Sequence, residues 1–343
     1  MNKECLMTNI EKTDIAIIGA GPVGLFTVFQ AGQLRMKCHV IDTLPAPGGQ
    51  CISLYPEKPI YDIPAYPKIL AKDLIDQLME QISPFNPIFH LNQRVEHLSK
   101  QDDGFILETS NGAIIHAKAV IIAAGAGAFG PNRPPLENIE KFENKTLFYM
   151  VKQREEFRGK KVMIAGGGDS AVDWAISLSE IAEVTIVHRR DKFRCAPNSH
   201  DQLLKLAETG KVNIVAPYQL DSLVGDEGNL EKVLLKDFDN NIAEHDVDVL
   251  LSFYGLAMDI GPIENWGLDI HRKHLAVDPA TMETNITGVF AVGDIASYPG
   301  KLKLIMTGFS ETAVACHTIH SLVYPDEILH FEHSTTTGVL TTK

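Results

Sequence analysis

Runs of aliphatic residues that end in glycine recur along the chain. Two of them open matching segments, 13–43 and 160–190, and each segment continues as a glycine-rich turn, an apolar helix-like stretch and a second aliphatic run. Aliphatic runs with little polar alternation are typical of parallel strands that are covered on both faces. The pattern predicts two βαβ units, and therefore an α/β fold with two Rossmann-like dinucleotide-binding domains.

Other apolar runs extend this prediction. Two more strands that end in glycine are expected in "AKAVIIAAGAG" (117–127) and "TGVFAVGDIA" (287–296). Strands between 212 and 256 would form the sheets of the second domain, and "SETAVACHTIHSLVY" predicts an amphipathic helix near the C-terminus. The stretch 127–139 is rich in Pro, Gly and Asn, which is typical of a linker.

Length and composition fit a soluble protein of two domains. The chain has 343 residues, of which 45% are hydrophobic and 22% charged, and its net charge is −13. This charge argues against nucleic acid and against an anionic membrane as partners. No apolar run is long enough to span a bilayer, no signal peptide is evident, and none of the five cysteines forms a C-x-x-C. We expect a cytoplasmic protein that binds neither nucleic acid nor membrane.

The first glycine turn has the spacing of a dinucleotide site. Gly19 permits a tight turn, Gly21 lets the backbone approach a pyrophosphate, and Gly24 lets the helix and strand pack closely. Asp42 follows Gly24 by eighteen positions and ends the next strand, where a carboxylate accepts hydrogen bonds from ribose hydroxyls. These residues suit either NAD or the ADP half of FAD.

The second glycine turn has a basic residue where the first has an acid. Arg189 lies eighteen positions after Ala171, and a guanidinium at this position grips the 2′-phosphate of NADP(H). His188, Arg190 and Arg194 would assist it. The residues that we expect to bind NADP(H) are Gly166, Gly168, Asp169, Ser170, Ala171, His188, Arg189, Arg190 and Arg194.

The strand "TGVFAVGDIA" decides between NAD and FAD at the first turn. It resembles the second fingerprint of FAD-binding enzymes of the disulfide-reductase type, in which the aspartate, here Asp294, holds the ribityl and pyrophosphate portion. The resemblance implies a discontinuous FAD domain, residues 1–130 and 258–343, with an NADPH domain inserted at 131–257.

The cysteines exclude dithiol chemistry as the main activity. Only Cys51 lies in the "GGQCISLYP" segment, and the region before the second glycine turn contains no cysteine. We expect Cys51 to be a small buried residue. The spacings His317/His320 and His330/His333 offer two ligands each, so no metal site is expected.

The order of the motifs makes the resemblance more specific. The first glycine turn, "PGGQCISLYPEKPIYDIPAYP", "GAGAFGP", "GGGDSAVDWA", "VTIVHRRDKFR", "AVGDIASYPGKLKLI" and "HSTTTG" together resemble the thioredoxin-reductase-like type of ferredoxin–NADP⁺ reductase, over essentially the whole chain past the first dozen residues. The resemblance implies that Gln50 and Tyr55 lie at the flavin, that Val95 offers backbone atoms to the adenine, that Phe129 lies against the cofactor and that Thr335 reaches the flavin.

This family implies an enzyme that passes electrons between NADPH and ferredoxin, or flavodoxin, by hydride transfer to FAD and then single-electron steps. It also implies a homodimer, and no catalytic side chain is needed for the hydride step. Two alternatives stay open: a reductase or oxidase that uses another acceptor such as quinone or oxygen, and a non-enzymatic flavin- or NADPH-sensing module.

Because the chain is acidic, an acidic ferredoxin would need a basic patch on its surface. The candidate residues for this patch include Lys301, Lys303, Lys58, Lys68 and Lys72.

Overall fold

The chain folds into two compact units. The computed structural model describes residues 10–329, without the side chains of residues 128, 129 and 256. One unit comprises Met1–Ala128 and Met258–Lys343, and the other comprises Phe129–Ala257. The first unit is therefore discontinuous in sequence and the second is continuous.

The strands of the described residues are, in chain order, β1 (Ile10–Ile18), β2 (Cys38–Ile41), β3 (Pro59–Ile60), β4 (Ile69–Leu70), β5 (Ile88–His90), β6 (Val95–Gln101), β7 (Gly104–Thr109), β8 (Ile114–Ile122), β9 (Ala128–Pro131), β10 (Leu147–Phe148), β11 (Lys161–Ala165), β12 (Glu183–Val187), β13 (Val212–Val215), β14 (Gln219–Asp226), β15 (Asn229–Lys236), β16 (Ile242–Asp246), β17 (Val249–Ser252), β18 (Leu256–Asp259), β19 (Ile270–His271), β20 (His274–Ala276), β21 (Val289–Ala291) and β22 (Ala296–Ser297).

The α-helices of the described residues are α1 (Pro22–Gln33), α2 (Gln50–Ser53), α3 (Ala71–Ile82), α4 (Asp169–Leu178), α5 (Pro197–Glu208) and α6 (Ile305–Val323). Short 3₁₀ helices lie at Ser83–Phe85, Ile139–Lys141, Arg154–Phe157, Gly261–Asn265 and Gly293–Ile295. Within residues 10–329, no helix is both long and apolar enough to cross a membrane.

A seven-stranded sheet is the centre of the first unit. Its order is β5-β2-β1-β8-β7-β6, and β21 pairs with the second half of β8. The β5, β2, β1, β8 and β21 pairings are parallel, while β6 and β7 form an antiparallel hairpin beside them. The strand ends that follow β1, β2, β8 and β21 therefore meet at one edge, which is where ligands bind in open α/β sheets.

Both faces of this sheet are buried, as the aliphatic runs predict. Ile15, Ile17 and Ile121 pack on one face together with α1, α3 and α6, and Ala16 and Val120 belong to a second apolar cluster on the other face. Successive side chains of β1 and β8 point to opposite faces of the sheet, so each strand contributes residues to both apolar clusters. This explains why the sequence shows continuous apolar runs there.

The second unit has its own parallel sheet, of order β10-β17-β11-β12-β13, in which β11 carries the second glycine turn at its C-terminal end. The sheet packs against α4 and α5 through residues such as Val172, Trp174 and Leu203. A three-stranded antiparallel sheet, β14-β15-β16, completes this unit. The predicted α/β fold with two Rossmann-like domains is confirmed.

Candidate functional site

The first glycine turn connects β1 to α1 and is as tight as its spacing predicts. Gly19 has a φ of +109°, and a Cβ there would lie 2.4 Å from the carbonyl oxygen of Ala123. A Cβ on Gly24 would lie 1.9 Å from the carbonyl oxygen of Gly19, whereas a Cβ on Gly21 would meet nothing within 4 Å. Two glycines therefore permit close packing, and Gly21 faces open space that a pyrophosphate would fill.

The first turn of α1 is also electrostatically suited to phosphate. It contains no acidic residue, and Pro22 occupies the first position, where a missing N–H costs nothing. The partial positive charge of a helix N-terminus favours an anion.

Asp42 lies at the C-terminal end of β2, beside the same turn. Its carboxylate accepts hydrogen bonds from the backbone N–H groups of Ala20 (2.6 Å) and Leu44 (2.9 Å). Burial raises the pKa of Asp42, and these backbone donors oppose the rise. Each carboxylate oxygen has a second lone pair, so a carboxylate held in this way can also accept from ribose hydroxyls.

The segment before β6 runs alongside Asp42. The N–H of Gln93 donates to the Asp42 carbonyl oxygen at 3.1 Å, and Asn92 donates to the Leu44 carbonyl oxygen at 3.1 Å. Val95 follows at the start of β6 and is only 3% exposed. Val95 packs in the same apolar cluster as Ile41, the residue before Asp42.

A second loop closes over the first glycine turn. Gly48 donates to the carbonyl oxygen of Ala20 at 2.8 Å, and a Cβ on Gly49 would lie 3.0 Å from the Cα atom of Gly21. Gln50 begins α2, and its Nε2 atom is 4.0 Å from the position of a Cβ on Gly125. Gln50 therefore lies where the loops after β1 and β8 converge.

Cys51 and Tyr55 follow this loop and pack in the same apolar cluster. The amine of Lys58 lies 5.8 Å from the centre of the Tyr55 ring. Burial raises the pKa of Cys51 to about 11 and also raises the pKa of Tyr55, to which the nearby Asp294 contributes. Tyr55, Cys51 and Asp294 thus lie in one region.

Asp294 follows β21, and the loop that carries it is held by a buried charge network. The Glu311 carboxylate accepts hydrogen bonds from the Gly293 N–H (2.7 Å) and the Tyr298 hydroxyl (2.5 Å), and it forms an ion pair with Lys301. The side chains of Glu311 and Lys301 are 3% and 7% exposed. Gly293 lies against Val23 of α1, so this network positions Asp294 next to the first turn.

Two predicted flavin-site residues cannot be placed. Thr335 lies outside the described residues, and the side chain of Phe129, in β9, is not described. Their roles remain predictions of the resemblance.

The second glycine turn connects β11 to α4. Ala171 is fully buried, and a Cβ on Gly166 would lie 3.0 Å from the Ala171 Cβ. Gly168 has no described atom closer than 4.0 Å to a Cβ position, so it resembles Gly21 in facing open space. Asp169 and Ser170, the first residues of α4, are exposed, and Asp169 Oδ1 accepts from the Ala196 N–H at 2.8 Å.

The segment after β12 folds over this turn. The His188 ring lies 2.4 Å from the position of a Cβ on Gly167, and the Arg194 N–H donates to the Gly167 carbonyl oxygen at 2.6 Å. His188 Nε2 is buried and has no hydrogen-bond partner among the described residues. An unpaired buried polar atom beside a glycine turn fits a site that a ligand completes.

The three predicted arginines form no ion pair with any described carboxylate. Arg189, Arg190 and Arg194 are exposed, and all three lower the pKa of His188, although burial of the ring has the larger effect. Concentrated positive charge without a protein counter-ion suits the 2′-phosphate of NADP(H).

The sequence did not reveal every residue of the two sites. Tyr254, after β17, is 38% exposed, and the charge of Arg189 lowers its pKa against a larger rise caused by desolvation. Glu311 and Lys301 were also missed, since no motif links residues so far apart in sequence. Lys301, expected as a surface charge that could dock ferredoxin, is instead buried, and this expectation was wrong.

Comparisons with known proteins agree with this geometry. Residues 13–316 match the family described as pyridine nucleotide-disulphide oxidoreductase. A protein of Rickettsia akari named ferredoxin–NADP reductase is 58% identical over 95% of this chain and 98% of its own length. A protein of Rhodospirillum rubrum with the same name is 58% identical over 96% of both chains. The crystal structure of Lactococcus lactis thioredoxin reductase, 24% identical, covers 91% of this chain and 99% of its own with a TM-score of 0.79, which supports the fold.

The family determines the cofactors. Its enzymes depend on FAD and NADPH, and the two glycine turns fit this pair. The chain belongs to the pyridine nucleotide-disulphide oxidoreductase family and, within it, to the ferredoxin–NADP reductases.

Proposed function

We propose that this flavin-dependent NADPH oxidoreductase passes electrons between NADPH and a ferredoxin. The observation that carries the proposal is the 58% identity, over 95% of the chain, to a relative named ferredoxin–NADP reductase. The site residues support it, because each glycine turn has a different charge at the following strand end, Asp42 in one unit and Arg189 in the other.

The second unit binds NADPH in this proposal. The backbone of Gly166 to Gly168 and the start of α4 receive the pyrophosphate, while Arg189, Arg190 and Arg194 contact the 2′-phosphate. Each charge-assisted hydrogen bond of this kind is worth about 1.5–3 kcal/mol. NADH lacks the phosphate and forfeits these bonds.

The first unit binds FAD. Gly21 admits the pyrophosphate, Asp42 accepts from the ribose, and Val95 borders the adenine. Gln50, Tyr55 and Asp294 hold the flavin end, and the Glu311 network keeps Asp294 in position. Bound FAD supplies the chemistry that these residues lack, since it accepts a hydride and releases electrons singly to an iron–sulfur protein.

The state of the cysteines supports an electron path that does not pass through a thiol. Cys38, Cys51, Cys195 and Cys316 are all free, and a thiol with a pKa of about 11, as in Cys51, is protonated at neutral pH. Because a thiolate is the reactive form, Cys51 is a poor nucleophile and a poor redox partner for the flavin.

Because Lys301 is buried, it is removed from the lysines that could dock an acidic ferredoxin. Lys72 pairs with Asp76, Lys68 is exposed, and the Lys58 amine lies 5.8 Å from the centre of the Tyr55 ring. We propose that Lys58 and Lys68 contribute to the docking surface, because they lie in the segment that follows Tyr55. The homodimer stays a prediction of the family resemblance, and the cytoplasmic location stays a prediction from the cysteine pattern. Flavodoxin stays an alternative acceptor.

The proposal is tested by anaerobic reduction of cytochrome c with the purified protein and NADPH, with and without a ferredoxin. Cytochrome c accepts single electrons from reduced ferredoxin, so a rate that rises at least tenfold with ferredoxin supports the proposal. The control replaces ferredoxin with the same protein lacking its iron–sulfur cluster.

The opposite outcome is equally clear. If NADPH bleaches the flavin rapidly but ferredoxin does not raise the rate, both cofactor assignments hold and the acceptor is wrong. Menadione under the same anaerobic conditions then identifies a quinone reductase, and oxygen in a separate aerobic assay of NADPH oxidation identifies an oxidase.

A further inference from the structure

A cluster of three potential metal ligands lies outside both cofactor turns. His39 of β2, His90 of β5 and Glu11 of β1 converge in the first unit, and their ligand atoms are close together. His39 and His90 are 5% and 7% exposed, while the Glu11 side chain is 38% exposed. Two buried imidazoles and a carboxylate that reaches solvent form an unusual group for a sheet edge.

The distances in this cluster combine a hydrogen bond between the two rings with a carboxylate that is bonded to neither ring. His39 Nδ1 and His90 Nε2 are 3.0 Å apart. Glu11 Oε2 is 3.8 Å from the former and 3.9 Å from the latter, which is too far to accept a hydrogen bond from either ring. The carboxylate therefore faces the two nitrogens without bonding to them.

An ion at the centre of the three atoms has acceptable bond lengths. Three points separated by 3.0, 3.8 and 3.9 Å lie on a circle with a radius of about 2.1 Å, which is the length of Zn–N bonds and lies within the range of Zn–O bonds. The separations of the three atoms are therefore compatible with one shared ion. Water completes the coordination from the exposed Glu11 side.

We propose that Glu11, His39 and His90 form a binding site for a divalent transition metal of the Zn²⁺ class. Imidazole and carboxylate together suit Zn²⁺ and its neighbours, whereas Mg²⁺ prefers oxygen ligands alone. A neutral imidazole has one ring nitrogen that can offer a lone pair to a metal ion. One of the two rings donates the present N–H···N bond and takes its other tautomer when the ion binds.

The site has a structural role in this proposal. The ligands come from three adjacent strands in the order β5-β2-β1, so the ion cross-links the edge of the seven-stranded sheet. The N–H of Asp42 also donates to the carbonyl oxygen of His90 at 3.0 Å, which connects the cluster to the adenosine end of the first turn. An ion that binds only the folded chain raises its stability in proportion to its affinity.

The test is a titration of the FAD-loaded full-length protein, treated with EDTA and desalted, with Zn²⁺ alone in a non-coordinating buffer. Calorimetry is expected to show one equivalent of Zn²⁺ per chain, and elemental analysis after desalting the same ratio. Co²⁺ is expected to give visible absorption beyond the flavin band, and Mg²⁺ no heat.

Two variants and a control decide the outcome. Glu11→Gln, at a half-exposed position, should weaken Zn²⁺ binding at least tenfold, and His90→Gln should remove the one-equivalent binding. His116→Gln is the control, because His116 pairs with Asp103 at 3.0 Å on the same sheet and belongs to no ligand cluster among the described residues. No Zn²⁺ binding by the parent protein, or binding that Glu11→Gln leaves unchanged, would overturn the proposal. Flavin absorbance confirms folding, and if His90→Gln does not fold, Glu11→Gln decides alone.

Discussion

The Glu311 carboxylate in α6 accepts a 2.7 Å hydrogen bond from the backbone N–H of Gly293. The two residues belong to different motifs, and the contact fixes the loop that presents Asp294. Because Glu311 also pairs with the buried Lys301, one carboxylate satisfies both a backbone donor and a charge. A buried charge without its partner is costly, so this position tolerates little change.

Glu311→Gln should therefore lower the thermal unfolding midpoint by about 5–10 °C, since removing one partner of a buried ion pair costs about 3–5 kcal/mol. It should also speed the release of FAD. Calorimetry and flavin fluorescence measure the two effects. Adding Lys301→Met to Glu311→Gln should recover most of the midpoint, because the unpaired charge is then gone.

Glu283→Gln is the matched control for Glu311→Gln. Glu283 also accepts a glycine N–H, from Gly288 at 2.9 Å, but among the described residues it has no lysine ion-pair partner. Its replacement should shift the midpoint by only about 1–3 °C. Equal effects at both positions would show that the glycine hydrogen bond, and not the buried charge, determines the cost.

Arg189→Ala should lower kcat/KM for NADPH by about 10–100-fold, because it removes charge-assisted bonds worth about 1.5–3 kcal/mol. The value for NADH should change less than about threefold. Steady-state assays with both nucleotides and ferricyanide as acceptor measure the difference. Arg158→Ala is the control, since Arg158 is exposed in the same unit and paired with Glu155. Equal losses with NADPH and NADH would contradict the 2′-phosphate assignment.

His188 should titrate below its ordinary pKa of about 6.5 in the free protein, because burial and then the three arginines disfavour its charged form. Between the lowered pKa and 6.5 the unfolded chain binds a proton that the folded chain does not. Stability must therefore fall as the pH drops through this window, and His188→Asn should reduce that fall.

NMR titration of the His188 ring measures its pKa directly. Arg189→Ala should raise the pKa, since it removes a nearby positive charge, and binding of 2′,5′-ADP should raise it further, since the phosphate adds negative charge. A pKa that does not respond to 2′,5′-ADP would place the nucleotide away from His188.

Cys51→Ser should leave turnover within about twofold of the parent enzyme. The thiol is 1% exposed and, with a pKa of about 11, carries almost no thiolate at neutral pH. Turnover must be normalised to FAD content, because a hydroxyl at a buried site can weaken packing. Loss of activity at full FAD content would revive thiol chemistry. Cys195→Ser, at a half-buried position in the other unit, is the control.

The sequence predicted the parts of the fold that depend on short segments. Gly19, Gly24 and Ala171 are required by local packing of a strand, a turn and a helix, so their spacing alone identifies them. Asp42 and Arg189 follow at a fixed distance because a βα turn, its helix and the next strand have nearly constant length. The positions of these residues can therefore be predicted from the spacing within one βαβ unit.

Contacts between distant segments were not predictable in this way. Lys301 looks like a surface charge until α6 brings Glu311 beside it. His39 and His90 look like ordinary strand residues until the strand order places β5, β2 and β1 side by side. Such groupings depend on topology, which no single segment of one sequence encodes.

Gly21 and Gly168 allow the two cofactor assignments to be tested separately. Each occupies the second position of its glycine turn and has a negative φ. A Cβ added at either glycine would have no described atom closer than 4.0 Å. Alanine therefore fits the fold at both positions but intrudes on a pyrophosphate. Gly21→Ala should yield a folded protein with little bound FAD, and Gly168→Ala a yellow protein whose KM for NADPH rises at least tenfold.

Gly24→Ala is the structural comparison for these two variants. Its Cβ would lie 1.9 Å from the Gly19 carbonyl oxygen, so the variant should fail to fold, whatever the cofactor supply. Circular dichroism, flavin absorbance and NADPH kinetics on the three proteins separate the effects. If Gly21→Ala retained its flavin and Gly168→Ala lost it, FAD would occupy the second unit. Because the two alanines are equivalent in size and backbone geometry, any difference between them reports which cofactor each turn binds.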